Sequence, residues 1–326
     1  MQKQILPHSL QAINWIDQDI IDWHSRGIRY SLTAREKKPS ITYSLGFNCD
    51  SSITCPNGQY AFLYQKLGTK GLLLKDGQLI REINRPYYCA DVYEYPAAFV
   101  VHKGRTFLVH CPVRYCQLDL EDVETGEIIT NVPGRDPSDV FHSRLEINHA
   151  QTLLISKGWC WHPYDVVCIY NIEEALLDPF SLDKRDKDLN DLGTEICTAS
   201  FINDTTLLVG SSIEEFDEEA KALLPVNSFA IWNVASSTLY NIVTPRFDFG
   251  NLFAINEYLA WDLYRFPKII HLPTGEIIDK DETVFSGDQK SSILGYQSNQ
   301  PQIAFNAGKS KLAIKNEEEV IILSQE

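Results

Sequence analysis

No CxxC spacing joins the cysteines of this chain, although Cys49, Cys55, Cys89, Cys111, Cys116, Cys160, Cys168 and Cys197 make eight. The even number would suit a disulfide framework, but 326 residues, 44% of them hydrophobic, can bury a core without covalent staples. The opening residues MQKQILPHSLQAINW carry one lysine and no continuous apolar run, so they do not read as a secretory leader. Nothing approaches the roughly 20 apolar residues of a membrane helix. These absences predict reduced thiols, a cytoplasmic protein and no membrane partner. Basic residues are also scarce: 29 Lys and Arg stand against 44 Asp and Glu, a formal charge of -15. That balance argues against a chain whose whole surface binds nucleic acid. Long helical periodicity is nearly missing too. Only Ile172 to Leu177 and Glu214 to Leu223 show it, and both read as insertions in loops.

Catalytic signatures are absent as well: there is no G-x-S-x-G elbow, Walker A, HExxH or GxGxxG. Gly68-Thr69-Lys70-Gly71 has the letters of a phosphate loop without its spacing or its helix. Ser181-Leu182-Asp183-Lys184 matches S-x-x-K, but its S-D-N and K-T-G partners are missing. No cofactor is expected.

What the chain does have is a repeat, written in its turns. Thr-Gly-Glu-Ile-Ile occurs at Thr125 to Ile129 and again at Thr274 to Ile278, each time between β-rich apolar runs. A related turn is Asp76-Gly77-Gln78-Leu79-Ile80. A second series pairs a short polar turn with a strand: Asp17-Gln18, Asn57-Gly58, Lys103-Gly104, His149-Ala150, Asn203-Asp204, Asn256-Glu257 and Ala307-Gly308. These seven turns lie about 39 to 54 residues apart, the period of units with four short strands. Gly, Asn and Asp are expected there because tight hairpins call for positive φ. In the third unit, Ala98 to Val101, Thr106 to His110, Cys116 to Leu120 and Glu127 to Thr130 read as strands A to D.

The last unit supplies only Gln302 to Phe305, Lys311 to Ile314 and Val320 to Leu323. A ring must close, since an open edge strand invites aggregation. Residues Gln2 to Leu6 are predicted to add the fourth strand. The expected fold is therefore all-β: one seven-bladed propeller over residues 1–326, closed by mixing the termini. Its blades fall near 11–47, 50–84, 95–131, 141–180, 194–244, 249–281 and 300–326 plus 2–6. Six blades, with 11–47 as a cap, is the alternative.

Phe229-Ala230-Ile231-Trp232-Asn233-Val234 resembles the strand C ending in Trp-Asp of WD40-like propellers, and Val123-Glu124-Thr125-Gly126-Glu127 resembles the turn after it. The Gly-His pair of that family is missing, and one unit alone carries Trp at this position. The resemblance implies a mostly non-catalytic scaffold for protein partners.

In such a ring the D-to-A and B-to-C loops share one face. Here those loops are long and rich in aromatics and arginine, while the opposite turns are tight and bland. The predicted binding residues are Tyr87, Tyr88, Tyr93, Tyr95, Arg114, Tyr115, Trp159, Trp161, Tyr164 and Arg265. Trp, Tyr and Arg are the types enriched at binding hot spots, and aromatics also wall small-ligand pockets. The bland alternative is that they pack beneath their own loops. The basic loop residues are interrupted by Asp91, Glu94, Asp136, Asp139 and Asp165, so nucleic acid is not expected.

His110, Cys111 and Cys116, together with Cys160 and His162, carry zinc-type donors, but free Cys is a common core filler and the ligand spacing is wrong; no metal is expected. The leading function is a non-catalytic interaction module, with another protein as partner and a small ligand as the lesser option. One alternative is an acidic neutraliser of a toxin. The other is a hydrolase or lyase at the channel mouth, using His142, Arg144, His162 and Asp165.

Overall fold

The computed structural model describes residues 1–7, 9–32, 44–184, 189, 192–215, 222–295 and 300–325. Its strands form seven small antiparallel sheets, each made mostly of consecutive strands. Strand β1 (Gln2–Leu6) stands apart from its neighbours in sequence. Blade 1 is β2 (Ile13–Ile16), β3 (Asp19–Asp22) and β4 (Ile28–Tyr30). Blade 2 is β5 (Ser51–Thr54), β6 (Tyr60–Tyr64), β7 (Lys70–Lys75) and β8 (Gln78–Asn84). Blade 3 is β9 (Ala98–His102), β10 (Arg105–His110) and β11 (Asp119–Asp122). Blade 4 splits its first strand into β12 (Val140–Phe141) and β13 (Glu146–Ile147), followed by β14 (Leu153–Cys160) and β15 (Tyr164–Asn171). Blade 5 is β16 (Thr194–Asn203), β17 (Thr206–Glu215), β18 (Phe229–Asn233) and β19 (Thr238–Val243). Blade 6 is β20 (Leu252–Ala254), β21 (Leu259–Asp262), β22 (Lys268–His271) and β23 (Glu276–Lys280). Blade 7 is β24 (Gln302–Asn306), β25 (Lys311–Lys315) and β26 (Val320–Ser324).

The ring closes as the sequence predicts. Strand β1 pairs antiparallel with β26, from Gln2 opposite Ser324 to Leu6 opposite Val320. Residues 11–30 form a blade rather than a cap, so the count is seven. Apolar residues of successive blades interleave. Leu108 and Val123 of blade 3 share a cluster with Phe62 and Leu73 of blade 2, and Ile155 of blade 4 packs with Leu207 and Val209 of blade 5. Burial of these side chains, worth roughly 1.5–3 kcal/mol each, holds neighbouring sheets face to face.

The helix over Ile172–Leu177 is present, capped by the Asn171 side chain. The second helical expectation, Glu214 to Leu223, falls mostly on 216–221, outside the described residues. Strand C of blade 5 contains the Phe229 to Asn233 segment that carries the WD40 resemblance.

Three local expectations need correction. Not every A-to-B turn uses positive φ. Lys103 and Gly104 do, but Asn203 and Asn256 instead bend the chain with their side chains. Asn203 Oδ1 accepts the amides of Thr205 and Thr206, and Asn256 Oδ1 those of Tyr258 and Leu259. Blade 3 has no continuous strand D. Its place is taken by a single bridge between Glu121 and Ile128, because Thr130 Oγ1 accepts the Leu120 amide that a ladder would use. Strand C there is Asp119–Asp122, not Cys116 to Leu120. Finally, Trp159 and Tyr164 belong to the long β14–β15 hairpin, and only 161–163 form its turn.

Candidate binding face and its strap

The face carrying the D-to-A and B-to-C loops holds one aromatic cluster, built around the start of blade 4. Phe141 of β12 lies directly opposite Trp159 of β14 in the ladder. That cross-strand position stacks their rings flat, with centroids 3.9 Å apart at 4°. Gly158 lets the strands approach. A Cβ there would run into the Phe141 carbonyl oxygen. Trp161, two residues beyond Trp159, stands edge-on to both rings at 5.4 and 5.5 Å. From the loop before blade 3, Tyr88 reaches Phe141, Tyr115 and Trp161 at 5.9, 4.9 and 6.4 Å. Tyr115 stacks on Phe141 at 4.5 Å. Its hydroxyl donates to Asp139 at 2.7 Å.

The predicted binding residues therefore divide. Tyr88 and Trp161 are each 44% exposed, Tyr87 is 87% exposed, and Arg114 also faces solvent. Tyr93 and Trp159 are buried and make the floor instead, and Tyr95 is buried in the core between blades 2 and 3. Arg85 explains two of them. Its buried guanidinium sits 4.5 and 4.9 Å from the Tyr93 and Tyr95 rings and donates to the Gly68, Ala90 and Tyr93 carbonyls, so it organises the whole loop. Tyr164 is half-buried against the blade 3–4 core. Arg265 lies apart, on blade 6, over the ring of its neighbour Tyr264.

The four residues weighed for catalysis do not assemble as a unit. His142 is buried, with Nδ1 2.9 Å from Ser156 Oγ. His162 is exposed in the hairpin turn at φ 72°, so it does not share a strand face with Cys160 either. Arg144 sits in the break of the first strand of blade 4 at φ 43° and donates to Asn251 Oδ1 and the Cys197 carbonyl. Asp165 is buried, and loss of solvation pushes its carboxyl above the usual range while Arg144 and Ser292 pull it down. Beside it, Glu195 is pushed up to about 7, first by burial and then by the charges of Asp165 and Glu214, against the Ser212 hydroxyl that donates to it. No group of three His, Cys, Asp or Glu suited to a metal occurs among the described residues. His110, Cys111 and Cys116 are all buried, and His110 Nε2 lies 3.0 Å from Glu121.

The sequence reading missed the segment 284–295. It leaves blade 6, and Gln289 accepts from Asn251 at the start of that blade. It then reaches blade 4, where Asp165 Oδ1 accepts the Ser292 amide at 2.8 Å and also its hydroxyl, and the Gly158 carbonyl lies 2.8 Å from the same hydroxyl. Next it meets the loop before blade 3. Ile293 bridges Tyr93, and the amides of Leu294 and Gly295 donate to the Val92 carbonyl. The chain finally returns to blade 7. Touching blade 6, blade 4 and the loop before blade 3 in turn, the segment straps together three parts of the ring that are distant in sequence. Ile293 packs on the Tyr93, Phe141 and Trp159 floor. About 21 residues between Lys280 and Gln302 exceed an ordinary connection, and that length was the available signal.

Among the described residues, no helix is long and apolar enough to cross a membrane. All eight cysteines are free. No family model matches the chain, and no curated protein matches it. Solved structures do. A chain of a crystal structure titled "Crystal Structure of Mitotic Checkpoint Complex" matches with a TM-score of 0.58 at 11% identity, over 99% of this chain and 94% of that one. At that identity the likeness speaks to fold alone. With seven sheets in a ring closed by its first strand, the chain is a seven-bladed β-propeller in architecture.

Proposed function

We propose that the protein is an interaction module that docks another protein on the aromatic face above blades 3 and 4. One observation carries this reading: Tyr88 and Trp161 stay 44% exposed while their neighbours Phe141, Trp159 and Tyr93 are fully packed beneath them. Large rings held still on a rigid floor lose little conformational freedom on binding, which is what makes Trp and Tyr effective contact residues. The propeller in the mitotic checkpoint complex is itself part of a protein assembly, in keeping with this use of the fold. The test is capture of partners from native cells by wild type and by Tyr88→Ala and Trp161→Ala, each shown to be folded by its thermal transition. Loss of the same partner from both variants supports the face, and retention on both removes it.

A narrower version is a neutraliser that caps a basic toxin, favoured by the formal charge of -15. It predicts tight, salt-sensitive binding of a basic protein encoded beside this one. Purified neighbour product that fails to bind would dismiss it.

A further inference from the structure

The exposed rings of the aromatic face have no cation of their own. Lysines and arginines lie over Tyr60, Tyr93, Tyr95, Phe107, Tyr264 and Phe266 elsewhere in the chain. Among the described residues none lies over Tyr88, Tyr115 or Trp161. Tyr88 and Trp161 touch each other at a 59° tilt and each stays 44% exposed, so part of each ring is open to solvent. A ring face is the negative pole of its quadrupole and attracts a cation.

The charges around these rings have the matching sign. Asp139 holds the Tyr115 hydroxyl and has no cationic partner among the described residues. Burial, reinforced by that carboxylate, raises the Tyr115 phenol, so it stays protonated and keeps Asp139 beside the ring. Asp91 is exposed next to Val92, whose side chain packs on the same cluster. Asp136 is exposed in the loop that leads to Asp139. Against these three carboxylates stands one exposed guanidinium, Arg114, next to Tyr115. The chain as a whole carries -15, which draws basic surfaces toward it.

We infer that this face recognises a basic segment of its partner, with an arginine or lysine side chain seated over Tyr88 and Trp161 and its charge met by Asp139 and Asp91. This rests on the reading of the aromatic face as a docking surface, and it adds the chemistry of what docks. The face then uses apolar contact and cation attraction together, and Arg114 opposes the ligand as a like charge.

The experiment uses the full chain and three synthetic probes: a peptide alternating arginine with leucine, its lysine counterpart and its glutamate counterpart. Binding is followed by tryptophan fluorescence and calorimetry at low and at physiological salt. The arginine and lysine peptides should bind, more weakly as salt rises, and the glutamate peptide should not. Asp91→Asn combined with Asp139→Asn should weaken the arginine peptide about tenfold, since each lost charge contact is worth a few-fold. Arg114→Gln should tighten it about twofold, by removing a like charge. Trp161→Ala should abolish it. All variants lie at the surface, and their melting transitions check that they fold. Equal binding of the glutamate peptide, or loss with Trp161→Ala but no response to the charge variants, overturns the cationic ligand while leaving the docking face standing. No binding of any peptide overturns the inference as well. Native partners retained by both Tyr88→Ala and Trp161→Ala would overturn the docking face itself.

Discussion

Asp165 and Ser292 are 127 positions apart in the chain, yet the Asp165 carboxylate accepts both the amide and the hydroxyl of Ser292. This contact ties the strap to the hairpin that carries Trp159 and Trp161. Ser292→Ala keeps the amide bond and deletes the hydroxyl, which also serves the Gly158 carbonyl. The one hydroxyl proton, shared between the Asp165 carboxylate and the Gly158 carbonyl, is lost from a buried site, so the expected cost is about 1–3 kcal/mol. Hydrogen exchange should quicken in residues 289–295 before it does in the blade strands. Unchanged exchange there would mean that the strap is held mainly by its Val92 and Tyr93 contacts.

The flat stack of Phe141 on Trp159 depends on how closely β12 and β14 approach. Gly158→Ala places a methyl against the Phe141 carbonyl, which is backbone and cannot swing aside. We expect a loss of about 1–3 kcal/mol from forced displacement. Near-ultraviolet circular dichroism should change with it, because the aromatic floor shifts. A wild-type melting curve and an unaltered aromatic spectrum would show that blade 4 absorbs the methyl without moving the floor.

The architecture was legible because its signals are local. A hairpin needs its turn residues within a few positions of its strands, and period-two patterning marks which strands face a core. Even the closure could be read, since a three-strand final unit and a spare Gln2 to Leu6 leave one arrangement without an open edge. The aromatic cluster was legible in part. Tyr88, Tyr115, Trp159 and Trp161 do meet in one cluster, but the buried Trp159 and Tyr93 could not be separated in the sequence from the exposed Trp161 and Tyr88. Burial there depends on Phe141, from the strand paired with that of Trp159, and on Ile293, from the strap. Asn203 and Thr130 likewise bend or end strands through side-chain bonds that composition does not reveal. The strap itself is made of long-range contacts, and only its length was visible beforehand.

Floor and surface should respond differently to the same substitution. Trp159 is 3% exposed, so Trp159→Ala opens a cavity under the face and should cost about 3–5 kcal/mol. Trp161, at 44% exposure, should cost much less when truncated. Urea unfolding of the two variants measures this directly. The order of stability should be wild type, Trp161→Ala, then Trp159→Ala, with a wide gap before the last. Equal losses would mean that Trp161 is structural and would weaken its assignment as a contact residue.

Glu195 gives the protein a pH dependence of predictable sign. Its carboxyl rises from 4.5 to about 7 in the folded chain, chiefly because burial disfavours its charge. Between those two values the folded protein holds a proton that the unfolded chain has released. Stability from this group is therefore full below about pH 4.5, falls as pH rises through the window, and is lost above about pH 7. Glu195→Gln keeps an acceptor for the Ser212 hydroxyl but cannot ionise. The variant should match wild type near pH 4.5 and melt at a higher temperature above pH 7, where wild type carries the buried charge. Other titrating groups are common to both proteins and cancel in the difference. A difference in melting temperature that stays flat with pH would mean that Glu195 is better solvated than its burial implies.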